Sequence, residues 1–304
     1  MIIPSTNNYP LRILKQAGVN TVRLRLWHTP KFNSPSSFRN VEILCKEIRS
    51  LKLNTFLTIH YSDTWADPSH QNKPNLWNKL TRPILLDSVH RYSFTIGNLL
   101  KPDYIEIGNE INNGLLWPDG SINNFDYFRR ILKTAISAIR KSSPKSKIIL
   151  HYSGLNGSFY FFKKLESLDF DIIGISYYPK WHTKDLDIVA LHCYKLASTY
   201  KKPIILSETS YPYTLNNLDS TPNSVDKPSD LIQDFPATPE GQARFLNVLS
   251  QITEFLPTNS GYCYWGGEWL KDVEVDQIPK SMWDNQTLWD SKGVFLPIIR
   301  EFKH

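Results

Sequence analysis

A (β/α)8 barrel is the fold this sequence predicts. Three observations predict it: strand-like and helix-like segments alternate, their spacing is regular, and the first strand has two chemically distinct faces. Strand candidates lie at 20–26 (NTVRLRL), 53–60 (LNTFLTIH), 103–108 (DYIEIG), 147–151 (KIILH), 171–177 (DIIGISY), 203–207 (PIILS) and 261–265 (GYCYW). Helical patterns near 38–50, 83–99, 124–142, 157–167, 184–200 and 238–255 separate or follow them, and one more, roughly 9–17, precedes the first strand. Such alternation calls for a parallel sheet with helical crossovers, and its even period favours a closed barrel over an open sheet. The candidates number seven, and a barrel normally begins with a strand. The expectation is therefore a TIM barrel lacking its first β-strand at the N-terminus, within a single domain over residues 1–304 that is incomplete at that end.

Parity in TVRLRLW places Val22, Leu24 and Leu26 on one face and Arg23 and Arg25 on the other. With helices over the aliphatic face, both arginines point inward, where buried cations need partners. Carboxylates at neighbouring strand ends would supply them. An exposed edge strand with its arginines in water is the alternative.

Composition narrows the function classes. The 304 residues are 41% hydrophobic, ordinary for a globular chain with a substantial core. The net charge of +6 is spread through KEIRSLK, KSSPKSK and YKKP, which read as helix faces and turns, so no nucleic-acid partner is expected. No apolar stretch is long enough to cross a bilayer, so no membrane partner is expected, and the start, MIIPSTNNYPLRILKQ, contains no visible signal peptide. Cys45, Cys193 and Cys263 have no metal-ligand spacing and read as buried thiols. Asn156-Gly-Ser158 and Asn285-Gln-Thr287 fit the glycosylation sequon, a pattern common by chance.

Chemistry concentrates at strand ends. IEIGNEIN and PIILSETSYPYTL each run through β-branched and aliphatic residues and stop on a glutamate, Glu110 and Glu208. A paired acid and nucleophile on one fold is the minimum equipment for cleaving a glycosidic bond. All nine tryptophans (Trp27, Trp65, Trp77, Trp117, Trp181, Trp265, Trp269, Trp283 and Trp289) fall at or after strand ends by this reading, where rings suit the C–H faces of pyranoses. His60, Tyr61, Ser62, Asp63, Trp65 and Asp67 crowd one such end. A metal site is the rival reading there, but HYSD-x-WADP lacks the paired histidines of hydrolase zinc sites. His60 reads instead as a group that orients carboxylates by hydrogen bonding.

VNTVRLRLWHTP, TIHYSDTWADPSHQNKPNLW, EIGNEINNGLLWPDG, ISYYPKWH, ETSYPYTL, PATPEGQARFL and NQTLWD, in that order, resemble the motif blocks of glycoside hydrolase family 53. These are arabinogalactan endo-β-1,4-galactanases, retaining enzymes on a TIM barrel. The resemblance runs from about residue 9 to residue 297 and makes the chain a glycosidase catalytic domain. It implies Glu110 as general acid/base, Glu208 as nucleophile, and Asn109 as the asparagine that holds the sugar 2-hydroxyl. It further implies Arg23, with Arg25 as second choice, as the cation that keeps the nucleophile ionised. Tyr177 would contact the nucleophile, and Trp265 would floor the subsite of the scissile sugar. Asn112, Trp117 and Trp181 are candidate sugar contacts, and Asp63 and His60 supporting residues. A retaining mechanism places the two carboxyls about 5–5.5 Å apart.

The substrate implied is a polysaccharide, β-1,4-galactan, with an extracellular or periplasmic location; oligomeric state is not readable. No catalytic metal or cofactor is implied. A structural calcium is known in some relatives at the loop after the last strand, and Glu268, Asp272, Glu274, Asp276 and Asp284 occupy that stretch here, an alternation that also fits a solvated edge. The long polar stretch 211–237 follows the nucleophile and is a candidate wall of the cleft. One block departs from the family: Trp265-Gly266-Gly267-Glu268 stands where a glutamate-proline pair is common, which leaves the adjoining subsite and the preference among galactans open. The alternatives are a related barrel β-glycanase acting on mannan or glucan, or a non-catalytic carbohydrate-binding or truncated remnant.

Overall fold

The computed structural model describes residues 9–32, 34–268 and 281–302. Along them α1 (Tyr9–Gln16) precedes β1 (Thr21–Leu26), α2 (Phe38–Ser50), β2 (Asn54–Ile59), α3 (Arg82–Leu100), β3 (Tyr104–Ile107), α4 (Phe125–Ser142) and β4 (Lys147–Ser153). Then come α5 (Ser158–Leu165), β5 (Ile172–Ser176), α6 (Leu186–Tyr200), β6 (Ile204–Thr209), α7 (Pro239–Glu254) and β7 (Gly261–Tyr264). The sheet order is the chain order, β1 to β7, the topology of a (β/α)8 barrel with seven of its eight strands among the described residues. Every strand read from the sequence is present. β6 runs to Thr209, so Glu208 lies within its strand rather than just past it.

Local chemistry explains the helix starts. Ser37 accepts the Asn40 N–H ahead of α2, Asp185 accepts those of Asp187 and Ile188 ahead of α6, and Thr238 accepts that of Gly241 ahead of α7. Each satisfies amides that the first helical turn leaves without partners. In α7, Pro239 adds a residue whose missing N–H is harmless at that position.

The chain divides into two compact units, Asn20–Ile175, and the described residues of 1–19 with 176–304. In the first, register aligns Arg25 with Thr58 and Thr58 with Glu106. In-register neighbours on parallel strands project to the same side, so this face carries charge and hydroxyl. The opposite face, with Leu26, Leu57, Ile59, Ile105 and Ile107, is buried, as are Val41, Cys45 and Ile48 of α2 and Leu85, Val89 and Ile96 of α3. Each such aliphatic side chain contributes about 1.5–3 kcal/mol on burial. One sheet thus has an aliphatic side closed by helices and a polar side kept for chemistry.

In the second unit, Leu246 of α7 belongs to a core with Tyr213, Leu288, Trp289, Leu296 and Ile298, and Leu14 of α1 packs against it. α1 is therefore anchored by its apolar stripe. Cys45 and Cys193 are buried, Cys263 is half-buried, and all three are free.

Candidate active site

The turn after β3 carries IGNE. Gly108 has φ +78°, and a Cβ there would stand 2.4 Å from Ile111 Cγ2, so glycine is required. Glu110 itself is left-handed, φ 47° and ψ 57°, a conformation that costs a non-glycine residue on the order of 1–3 kcal/mol. Neighbours hold it there. The Gly108 N–H donates to Ile59 O at 2.9 Å, and Gln71 Nε2 donates to Asn109 O at 2.7 Å. Asn112 donates to Ser153 O at 2.9 Å and accepts the Ser153 N–H at 2.7 Å. Its amide fastens this turn to the end of β4.

Beneath the turn lies a buried charged cluster. Arg23 Nη2 donates to Glu106 Oε1 at 2.7 Å and to Asn109 Oδ1 at 2.8 Å, while Asn109 Nδ2 donates to Ala66 O at 2.8 Å. His151 Nδ1 stands 3.2 Å from Glu106 Oε1 and 3.4 Å from the Glu110 main-chain nitrogen. Burial would push the Glu106 carboxyl up, but Arg23 and His151 together outweigh it and hold the group at about 2. Sequence reading missed both Glu106 and His151. Parity carried the signal: Glu106 interrupts Ile105 and Ile107, and its register places it on the arginine face.

The loop after β2 is braced by its own polar residues. Asp63 accepts the Thr29 N–H at 2.9 Å and the Asn75 N–H at 2.8 Å, joining the loop after β1 to two parts of the loop after β2. His60 is buried, and its Nδ1 accepts the Ala66 N–H at 3.0 Å. Its hydrogen bonding therefore serves the loop backbone, in place of the carboxylate contact read from the sequence. Burial first, then Arg25 and Arg23, drive the imidazole down to about 3, so it is neutral at any working pH. Arg25 lies over the Trp65 ring at 4.3 Å, a cation–π contact, and Trp65 remains 41% exposed. Trp117 donates its indole N–H to Asn113 O at 2.9 Å.

In the second unit, Glu208 is buried, and Tyr178 Oη donates to its Oε2 at 3.0 Å. The neighbouring Tyr177 was the tyrosine expected there. Its N–H donates to Glu208 O at 2.8 Å, but its hydroxyl donates to Thr183 O and its ring stacks 6.4 Å from Phe245. Successive side chains leave a strand end on opposite sides, so one tyrosine of the pair enters the core and the next reaches the carboxylate. Tyr178 is also the hub of an aromatic cluster. Trp181 lies 5.2 Å from it and Trp283 5.4 Å, and Trp265 lies 6.3 Å from Trp283. Trp181 is 50% exposed and offers a ring to a ligand. Trp181 and Trp265 are the sugar contacts read individually from the sequence; Trp283 was read only as one of nine indoles at strand ends, and Tyr178 was missed although ISYYP contains it.

Two tryptophans depart from the expectation that indoles mark the catalytic face. Trp77 packs edge-on against His28 and Tyr92, and Trp289 belongs to the α7 core; both are buried. The polar segment after β6 is stapled rather than loose. Asn285, fully buried, donates to Thr214 O and Val225 O, and Gln286 accepts from Ser210 and donates to Ser224. That burial removes Asn285 as a glycosylation acceptor in the folded chain. Trp269, Asp272, Glu274 and Asp276 lie outside the described residues, and among the described residues no group of three or more His, Cys, Asp or Glu side chains could hold a metal.

The family model for glycosyl hydrolase family 53 matches residues 5–302. A probable arabinogalactan endo-β-1,4-galactanase A of Aspergillus fumigatus is 36% identical, over 86% of this chain and 77% of its own. The arabinogalactan endo-β-1,4-galactanase of Cellvibrio japonicus is 29% identical, over 94% and 79%. Among solved structures, the GH53 catalytic domain of Ignisphaera aggregans superposes with a TM-score of 0.88 at 33% identity, covering 96% of this chain and 87% of that one.

Proposed function

The chain belongs to glycosyl hydrolase family 53, and from that premise we propose that it is a retaining endo-β-1,4-galactanase acting on (arabino)galactan by double displacement. Glu208 is the nucleophile. Glu110 first protonates the departing glycosidic oxygen and then, as base, deprotonates the water that releases the glycosyl-enzyme. Asn109 binds the 2-hydroxyl of the sugar under attack, and its amide is already fixed from both ends by Arg23 and Ala66. Tyr178 donates to Oε2 of the nucleophile and orients its carboxylate. The rings of Trp181, Trp265 and Trp283 receive the sugars.

The observation that carries this reading is the strained Glu110 turn. A carboxylate held in left-handed backbone, next to an asparagine clamped by a buried arginine, has no packing purpose. Incubation with β-1,4-galactan, β-mannan and β-glucan tests it. Release of galacto-oligosaccharides of several lengths from galactan alone supports it. Release from mannan or glucan instead, or from none of the three, overturns it.

A further inference from the structure

Glu106 has no direct role in the double displacement, yet it is the most completely enclosed charge beside the Glu110 turn. It comes from the middle of the IEIGNE tract and its side chain is 0% exposed. Three elements face it: β1 presents Arg23, β2 presents Thr58 in register with His60 beyond it, and β4 presents His151. A carboxylate buried this way persists only when cations hold it. Here Oε1 takes both Arg23 Nη2 at 2.7 Å and His151 Nδ1 at 3.2 Å.

The same Arg23 nitrogen that meets Glu106 also donates to Asn109 Oδ1 at 2.8 Å. One nitrogen serving two oxygens ties their positions together. We infer that Glu106 is a positioning residue: through Arg23 its buried carboxylate sets the orientation of the Asn109 amide toward the substrate 2-hydroxyl, with His151 as the clamp that keeps the carboxylate in place. Without the anion, the Arg23 nitrogen that donates to Asn109 loses the carboxylate that fixes it, and the donor on the Asn109 oxygen shifts with it. The Asn109 Nδ2 bond to Ala66 alone leaves the amide free to swing about that contact. The 2-hydroxyl bond strengthens in the transition state of glycoside hydrolysis, so the loss appears in turnover on substrates that carry this hydroxyl.

This inference rests on the galactanase reading and on Asn109 as the 2-hydroxyl ligand, and its test separates the two. The 304-residue chain and its E106Q variant are assayed on an aryl β-1,4-galactobioside and on the analogue lacking the 2-hydroxyl of the sugar bound to the aryl group. Glu106→Gln keeps the shape and an acceptor oxygen but removes the charge. The expected result is a fall in kcat/KM of about 10–100-fold on the hydroxylated substrate and of less than about 3-fold on the deoxy analogue. Equal falls on both substrates, which a merely structural role produces, overturn the inference; so does an unchanged rate on both. If E106Q does not fold, Glu106→Asp, which keeps the charge but draws it back by one methylene, carries the same comparison with the same two overturning results. Wild-type enzyme that cleaves the two substrates equally fast overturns the Asn109 assignment, and the inference falls with it. Wild-type enzyme that cleaves neither, nor galactan, overturns the galactanase reading.

Discussion

The strand ends after β2–β4 and those after β5–β7 solve different problems with different chemistry. Around Glu110 the neighbours are ions and amides: Arg23, Glu106, His151 and Asn109 are joined by hydrogen bonds of 2.7–3.2 Å, and His60 is held neutral beside them. Around Glu208 they are rings: Tyr178, Trp181, Trp283 and Trp265 lie in sequence at 5.2–6.3 Å, and the phenol of Tyr178 meets the carboxylate. The contrast matches the tasks proposed for the two glutamates. A residue that gives and retakes a proton needs fixed orientation, which a charged network in a water-poor site provides. A nucleophile needs its substrate placed over it, which apolar ring faces do for a sugar.

Substitutions can break this comparison, beginning with the largest effect. Glu208→Gln removes the attacking group and is expected to abolish galactan hydrolysis, measured as reducing-sugar release. Glu110→Gln removes a proton donor and is expected to cut kcat by about 10²–10⁴-fold on galactan, while sparing an aryl substrate whose leaving group departs unprotonated. Equal losses on both substrates would place Glu110 in a role other than acid. Tyr178→Phe removes a hydrogen bond to a charged group, about 1.5–3 kcal/mol, so a fall of roughly 10–150-fold in kcat is expected, whereas Tyr177→Phe should leave Glu208 untouched and affect stability instead. A larger kinetic effect at Tyr177 would reverse the assignment of the two tyrosines. Trp181→Ala should raise KM for galactan by about 2–12-fold with kcat little changed, the size of one lost ring contact.

Buried neutral imidazoles predict a pH signature in both units, with the larger shift on the charged side. His60 has a folded value of about 3 against the ordinary 6.5, so below pH 6.5 the unfolded chain binds a proton that the folded chain refuses. Stability is full above that point and is lost as pH falls toward 3. His182, lowered by burial to about 4, acts the same way in the second unit. Glu106, depressed by its partners to about 2, adds stability above its ordinary 4.5 that is lost as pH falls further. Denaturant titrations between about pH 6 and pH 4 should therefore show stability falling with acid, and His60→Gln should reduce that slope by up to about 1.4 kcal/mol per pH unit. An unchanged slope would mean that the imidazole is not buried neutral.

Much of this was readable from residue pattern alone, and what was not has a physical reason. Strands came through because aliphatic runs and regular spacing are dictated by burial, and Glu110 and Glu208 stood out because carboxylates at the ends of such runs lack a packing role. Arg23 and Arg25 were placed on their face by parity, but parity on one strand does not name the partner. Glu106 and His151 come together only when the register of β1 to β4 aligns them. Tyr177 and Tyr178 are adjacent, and which of them turns outward depends on where β5 ends, a boundary that sequence locates only to within a few residues. Trp77 and Trp289 read as rings of the catalytic face because loop position was the sole cue; their burial depends on Tyr92 of α3 and the α7 core coming to meet them.

The stereochemistry of the first product tests the central claim most directly. Double displacement through Glu208 and Glu110 releases the new reducing end in the β configuration, with the α anomer appearing only as mutarotation proceeds. Proton NMR of a galacto-oligosaccharide digest, followed from the first minutes, should show β-anomer signal rising first. The α anomer rising first would contradict the account, since a single displacement by water needs no carboxylate nucleophile.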